Sequence, residues 1–242
     1  HPAIKAVSFT GSNSVGKRVH TICGTRGIKC TAEMGGKNPA VIWDDADLEL
    51  ALGGVMKGAF GSTGQRCTAT SRLILHEKIA DKFLAMVVAE AKKIKVGDGM
   101  DPKTGMGPAV DDGQMQTDLD YIEIAKKEGA KLVLGGTRLT AGDLQHGYFV
   151  EPTIFDHVKP KMRIYQEEVF GPVLAVARVK SYDEMIELAN DCEFGLTCSV
   201  YTQDITTAMR FADDIEAGMV HINSPTIGGE AQVPFGGVKG SG

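Results

Sequence analysis

Along the chain, short apolar runs alternate with longer amphipathic ones. Ile79, Phe83, Val87, Ala91 and Ile94 recur at intervals of three and four, which places them on one face of a helix. Met115, Leu119, Ile122 and Ala125 repeat the pattern, as do Ile205, Ala208, Met209 and Ala212, with Asp204 placed to cap that helix. A further helical run covers 48–60, and a helix over about 15–23 follows a turn at 11–16. Between them lie β-rich runs at 5–9, 28–32, 40–43, 72–76, 131–134, 173–179, 197–201 and 219–222. The run VLAVARV at 173–179 is nearly all apolar, as a strand covered on both faces must be. Strands alternating with helices predict an α/β fold with a largely parallel sheet flanked by helices. The glycine-rich stretches GDGMDPKTGMGP and GGTRLTAGDLQHGY read as surface connections or pocket walls.

Composition narrows the choice of partner. The 242 residues are 43% hydrophobic and 24% charged, enough for one large domain or a domain plus a fragment. A net charge of -5 does not suit nucleic acid, which calls for a basic face, but is compatible with a small molecule. No apolar run reaches the ~18–20 residues that cross a bilayer, and the opening HPAIKAVSF lacks the basic and then apolar stretches of a secretion signal. No membrane partner is expected. The five cysteines are odd in number and form no CxxC pair, so neither a disulfide framework nor a metal site is expected, and a reducing cytoplasm is the simplest setting. Both ends, one without Met and one in PFGGVKGSG, read as cuts in a longer polypeptide.

Four segments carry candidate chemistry. FTGSNSVGKR follows a strand and opens a helix, where backbone N–H groups favour a phosphate. It is not a Walker loop, because Arg18 stands where a magnesium-binding hydroxyl belongs; a plain strand-to-helix turn is the alternative. In TAEMGGKNPAV, Glu33 precedes Gly35 and Gly36, so its carboxylate faces either a cavity or an ordinary surface turn. In GSTGQRCTATSR, Cys67 sits among Gly64, Gln65, Arg66, Thr68 and Thr70, whereas Cys23, Cys30, Cys192 and Cys198 lie in apolar runs that suit inert thiols. Arg66 and exposed N–H groups beside Cys67 are expected to favour its thiolate, the reactive form. In QEEVFGPV, Glu167 and Glu168 are either a ribose-binding pair, with Phe170 packing on a ring, or a solvated one.

Taken in order, FTGSNSVG, EMGGKNP, GQRCTATSR, EEVFGPV and PFGGVKGSG resemble the aldehyde dehydrogenase superfamily, from Phe9 to Gly242. The resemblance implies a catalytic domain over 35–242 and, over 1–34, the tail of a Rossmann-like cofactor domain. It implies Cys67 as the nucleophile that forms a thiohemiacetal and then a thioester, and Glu33 as the base that activates the hydrolytic water. NAD or NADP is the implied cofactor, with Gly11, Ser12 and Gly16 along its groove, and Gln114, Glu168 and Phe170 at its ribose and nicotinamide end. Arg66, Thr68 and Phe235 would meet the aldehyde. GQRCTATSR and INSPT look like the branch acting on α-ketoglutaric semialdehyde, whose distal carboxylate Arg66 would pair with unless it points into solvent. Family members are about twice this length and assemble as homo-oligomers, so the chain alone is expected to be largely inactive. Two other readings stand beside this one: a cysteine hydrolase with His221 as its base, and a non-catalytic module.

Overall fold

The computed structural model describes residues 1–229 and 231–242. In chain order the elements are β1 (Ala6–Thr10), α1 (Asn13–Thr25), β2 (Lys29–Glu33), β3 (Asn38–Ile42), α2 (Leu48–Phe60), β4 (Thr70–His76), α3 (Glu77–Ala91), α4 (Asp112–Lys127) and β5 (Lys131–Leu134). They continue with β6 (Thr153–Asp156), α5 (Arg163–Gln166), β7 (Val173–Val179), α6 (Tyr182–Asn190), β8 (Phe194–Gly195), β9 (Thr197–Tyr201), α7 (Ile205–Asp214), β10 (Met219–Ile222) and β11 (Val238–Lys239). Seven strands form the main sheet in the order β10-β9-β3-β4-β7-β6-β5. Every neighbouring pair is parallel except β5 with β6, as the alternating pattern predicts. The parallel pair β1–β2 stands as a separate small sheet.

Period-two alternation divides the core between the two faces of the main sheet. Ala40 and Ile42 of β3, Leu73 and Leu75 of β4, and Leu174 and Val176 of β7 face α2 and α3. Val41, Ile74 and Val179 face the opposite way, onto Met185 and Ala189 of α6 and Phe211 of α7. Val173, Ala175 and Ala177 share that second face with Met115, Ile122 and Ala125 of α4. A strand covered on both sides is largely apolar, which explains VLAVARV.

Helix starts follow from side-chain capping. Asp47 accepts from Glu49 and Leu50 N–H at the head of α2, and Asp204 from Thr206 and Thr207 N–H at the head of α7. Among the described residues, no helix is long and apolar enough to cross a membrane.

Candidate active site

Three of the candidate segments run straight into strands. Residues 33–37 lead into β3, 61–69 into β4, and 167–172 into β7. These strands are parallel and adjacent in the order β3-β4-β7, so their leading segments emerge at one end of the sheet. Glu33, Cys67 and Glu168 are far apart in sequence and are brought together by that adjacency.

The loop before Cys67 is strained. Ser62 and Thr63 have φ of 53° and 59°, and Gly64 follows at 67°. A left-handed conformation at a β-branched residue is a costly outlier, kept only where surroundings enforce it. Here the glycine-rich loop before α4 does so. Thr63 donates to the Gly107 carbonyl (3.1 Å), Gln65 donates to the Pro108 carbonyl (3.2 Å), and Gln65 accepts from Val110 N–H (2.8 Å). On the far side, Asn38 at the start of β3 donates to the carbonyls of Cys67 (2.7 Å) and Ala69 (2.8 Å), and its oxygen accepts from Thr197 N–H (3.3 Å). Thr226 fixes the next residue by donating to the Thr68 carbonyl at 2.7 Å.

The two glycines of EMGGKNP serve close approach. A side chain at Gly36 would run into the Cys67 carbonyl oxygen, and one at Gly35 into the Glu168 carboxylate. Gly36 N–H donates to Glu168 Oε1 at 2.8 Å, so the same dipeptide touches both the cysteine loop and the second carboxylate. Asn13 and Ser241 complete the frame. Asn13 accepts from Gly35 N–H (2.9 Å) and donates to the Gly240 carbonyl (2.8 Å), while Ser241 donates to the Gly35 carbonyl (2.7 Å).

The electrostatics differ from the sequence expectation. Burial pushes the half-buried Cys67 thiol up, and the Glu168 charge adds to this; Thr68 and Cys67 N–H groups pull down, and Glu33 pushes up again. Arg66 takes no part: it is exposed, and its Nε donates to Ser62 Oγ at 2.9 Å. The expectation that Arg66 favours the thiolate is therefore corrected, because two carboxylates and burial outweigh the backbone donors. Both carboxyls are themselves raised by burial, Glu168 against opposing pulls from Gly36 N–H and Lys37. Glu33 Oε2 is buried without a hydrogen-bond partner among the described residues, and Gly236 of the C-terminal segment lies against the same carboxylate.

The other predicted residues divide. Gly11 and Ser12 stand at the exposed start of α1, and Ser12 is its N-cap residue. Gly16 is buried, and a side chain there would strike Met34 and Phe9, so its lack of one serves the packing of α1. Phe170 is 39% exposed in a left-handed conformation (φ 62°) on the turn before β7. Gln114 does not point to open space: its amide nitrogen donates to Asp118 (2.8 Å) and the Val169 carbonyl (2.9 Å). Thr68 is buried, and what it presents to the thiol is its backbone N–H. Phe235 is exposed beside Gly236. His221 has a buried Nε2 without a partner among the described residues, and its backbone N–H serves Cys198, not Cys67. Sequence reading passed over Asn13, Asn38, Lys37, Asp118 and Ser241. All but Asp118 stood inside a quoted motif; for Lys37 and Asn38, polar residues at the mouth of an all-buried strand were the available signal.

Among known proteins, a family model described as the aldehyde dehydrogenase family matches residues 1–242. An α-ketoglutaric semialdehyde dehydrogenase of Bacillus subtilis (strain 168) is 47% identical over 241 residues, covering 100% of this chain and 49% of that protein. An α-ketoglutarate semialdehyde dehydrogenase of Haloferax volcanii is 48% identical over 235 residues, covering 97% of this chain and 48% of its own length. The 1.85 Å crystal structure of betaine aldehyde dehydrogenase from Staphylococcus aureus in complex with NAD+ superposes with a TM-score of 0.97 at 40% identity, covering 100% of this chain and 48% of that one. The chain thus spans about half the length of the relatives it matches.

Proposed function

The chain belongs to the aldehyde dehydrogenase family, and on that premise we propose that it carries the thiol and both carboxylates of an NAD(P)-dependent aldehyde-oxidising site. The observation that carries this reading is the meeting of Glu33, Cys67 and Glu168 at the leading ends of β3, β4 and β7. Cys67 Sγ adds to the aldehyde carbon, its proton leaving to a neighbouring carboxylate. The oxygen that gains charge is met by backbone N–H at Cys67. A bound nicotinamide supplies a hydride acceptor, and loss of hydride from the thiohemiacetal leaves a thioester on Cys67. Glu33 then takes a proton from the attacking water; a carboxyl raised by burial is a better base than an exposed one. The product acid leaves and the thiol is restored.

The residues present fit a ribose. Glu168 Oε1 is held by Gly36 N–H, while Oε2 forms no hydrogen bond among the described residues and is left for a hydroxyl. Carboxylates adjoin the thiol and a histidine does not, which favours this reading over a histidine-assisted hydrolase. The names of two relatives point to α-ketoglutaric semialdehyde as substrate, with the exposed Arg66 guanidinium available to its distal carboxylate.

Competition tests both parts. The semialdehyde should protect Cys67 from iodoacetamide, with Cys23, Cys30, Cys192 and Cys198 as internal controls. Arg66→Ala should weaken protection by the semialdehyde and leave protection by butyraldehyde unchanged. Equal protection of all five thiols, or of none, would sink the nucleophile assignment; an unaltered Arg66→Ala would remove the substrate argument.

A further inference from the structure

Gln114 and Asp118 stand one turn apart on α4. Gln114 bridges them to the turn before β7, donating to Asp118 Oδ1 at 2.8 Å and to the Val169 carbonyl at 2.9 Å. Asp118 has no exposed surface, and its Oδ2 has no hydrogen-bond partner among the described residues. Its carboxyl fills the space that a side chain at Gly171 would take. On its other side, the Gly171 carbonyl lies against Gly64 at the head of the cysteine loop. The turn spanning 168–171 holds Phe170 in a left-handed conformation, which an aromatic residue does not adopt without restraint.

We propose that Asp118, acting through Gln114, is a positioning residue: a buried strut from α4 that sets the 168–171 turn and so holds the Glu168 carboxylate between Gly36 and Cys67. The groups facing Asp118 carry no charge, being the Gln114 amide on its own helix and the 169–171 backbone on the turn. Its effect on the site is therefore mechanical. The carboxylate and aromatic side chains of EEVFGPV thus depend on a helix residue some fifty positions earlier. This rests on the proposed function only in treating the Cys67 environment as the active one.

The test uses the 242-residue chain and two readouts. One is amide exchange at Gly36, whose N–H is bound by Glu168. The other is the pH midpoint of Cys67 alkylation, which Glu168 raises more than any other charge does. Asp118→Leu keeps the number and branching of side-chain heavy atoms, is bulkier, and removes the acceptor; Asp118→Asn keeps both the shape and an acceptor oxygen. Asp118→Leu and Gln114→Ala should each speed exchange at Gly36 about fivefold, the worth of one net hydrogen bond, and move the Cys67 midpoint to lower pH. Asp118→Asn should hold both readouts at wild-type values. A merely structural role would lower the melting temperature and leave the midpoint in place.

Wild-type values for Gly36 and Cys67 in both Asp118→Leu and Gln114→Ala overturn the proposal, as does an Asp118→Asn chain that behaves like Asp118→Leu. Should Asp118→Leu not fold, Gln114→Ala decides alone. If wild-type Cys67 proves inert to alkylation, the nucleophile reading fails, while Gly36 exchange still decides whether the strut exists.

Discussion

Lys37 is 1% exposed at the entrance to β3, and its ammonium has no hydrogen-bond partner among the described residues. Burial and then the Arg72 guanidinium lower its pKa from 10.5 to about 7, against smaller pulls from Glu168, Cys192 and Glu167. The Arg72 side chain cannot move off, because it donates to the carbonyls of Lys37 (2.7 Å), Leu188 (3.1 Å) and Ala189 (2.8 Å). Between pH 7 and 10.5 the unfolded chain binds the proton that the folded chain has lost, so stability rises with pH across that window. Below pH 7 both states are charged and the folded chain bears the whole penalty. The 3.5 pH units separating 10.5 from about 7, at 1.36 kcal/mol each, amount to ~5 kcal/mol. Lys37→Met, of similar length and without charge, removes that penalty and orphans no partner. For a chain of this size the gain corresponds to a melting temperature about 10–20 °C higher at pH 6. The advantage should shrink above pH 7 and vanish near 10.5. Calorimetric scans at pH 6, 8 and 10 measure it. An equal gain at all three would mean packing and not charge. A loss at pH 6 would mean that the ammonium has a partner, and would refute the reasoning.

Two more substitutions test the frame around Cys67. Asn38→Ala leaves the Cys67 and Ala69 carbonyls and the Thr197 N–H without their partner; a loss of roughly 2–4 kcal/mol in urea unfolding is expected, and an unchanged midpoint would count against the anchoring role. Gly36→Ala drives a methyl group into a backbone oxygen that cannot rotate away, so it should cost about 1–3 kcal/mol and abolish protection of Cys67 by aldehyde. Gly53→Ala in α2 is its control: the added methyl meets nothing within 4 Å, and a gain of ~0.4–1 kcal/mol is expected.

How far the chain could be read in advance depended on element length and burial. The bounds 48–60, 131–134, 173–179, 197–201 and 219–222 coincide with α2, β5, β7, β9 and β10, where apolar runs meet clear breaks. β6, TIFD, has only two apolar residues between polar ones, and β8 and β11 are two residues each, too short for periodicity to register. α6 was missed despite a legible start: Ser181 accepts from Glu184 N–H, and Glu184 reaches back to Lys180 N–H, from the sequence KSYDE. The Arg66 expectation failed for a different reason. Adjacency in sequence is not adjacency in space, and the charges that act on Cys67 are 34 and 101 positions away, at Glu33 and Glu168.

The location of the site follows from the same point. In open α/β sheets, ligands usually collect at the carboxyl ends of the strands. Here the cysteine and glutamate segments precede β4 and β7, at the amino ends of the main sheet. Glu33 reconciles the two arrangements. It is the last residue of β2, and its carbonyl accepts from Gly11 N–H, so the carboxyl ends of β1 and β2 and the start of α1 lie together. Three residues later Gly36 lies against Cys67. The carboxyl end of the small sheet thus abuts the amino end of the large one, joined by Met34–Lys37 and sealed by Asn13 and Ser241. Neither sheet could supply that geometry alone, because parallel strands offer only one kind of end at each edge. The short glycine pair between β2 and β3 therefore sets how closely the Cys67 loop and the Glu168 carboxylate approach that junction.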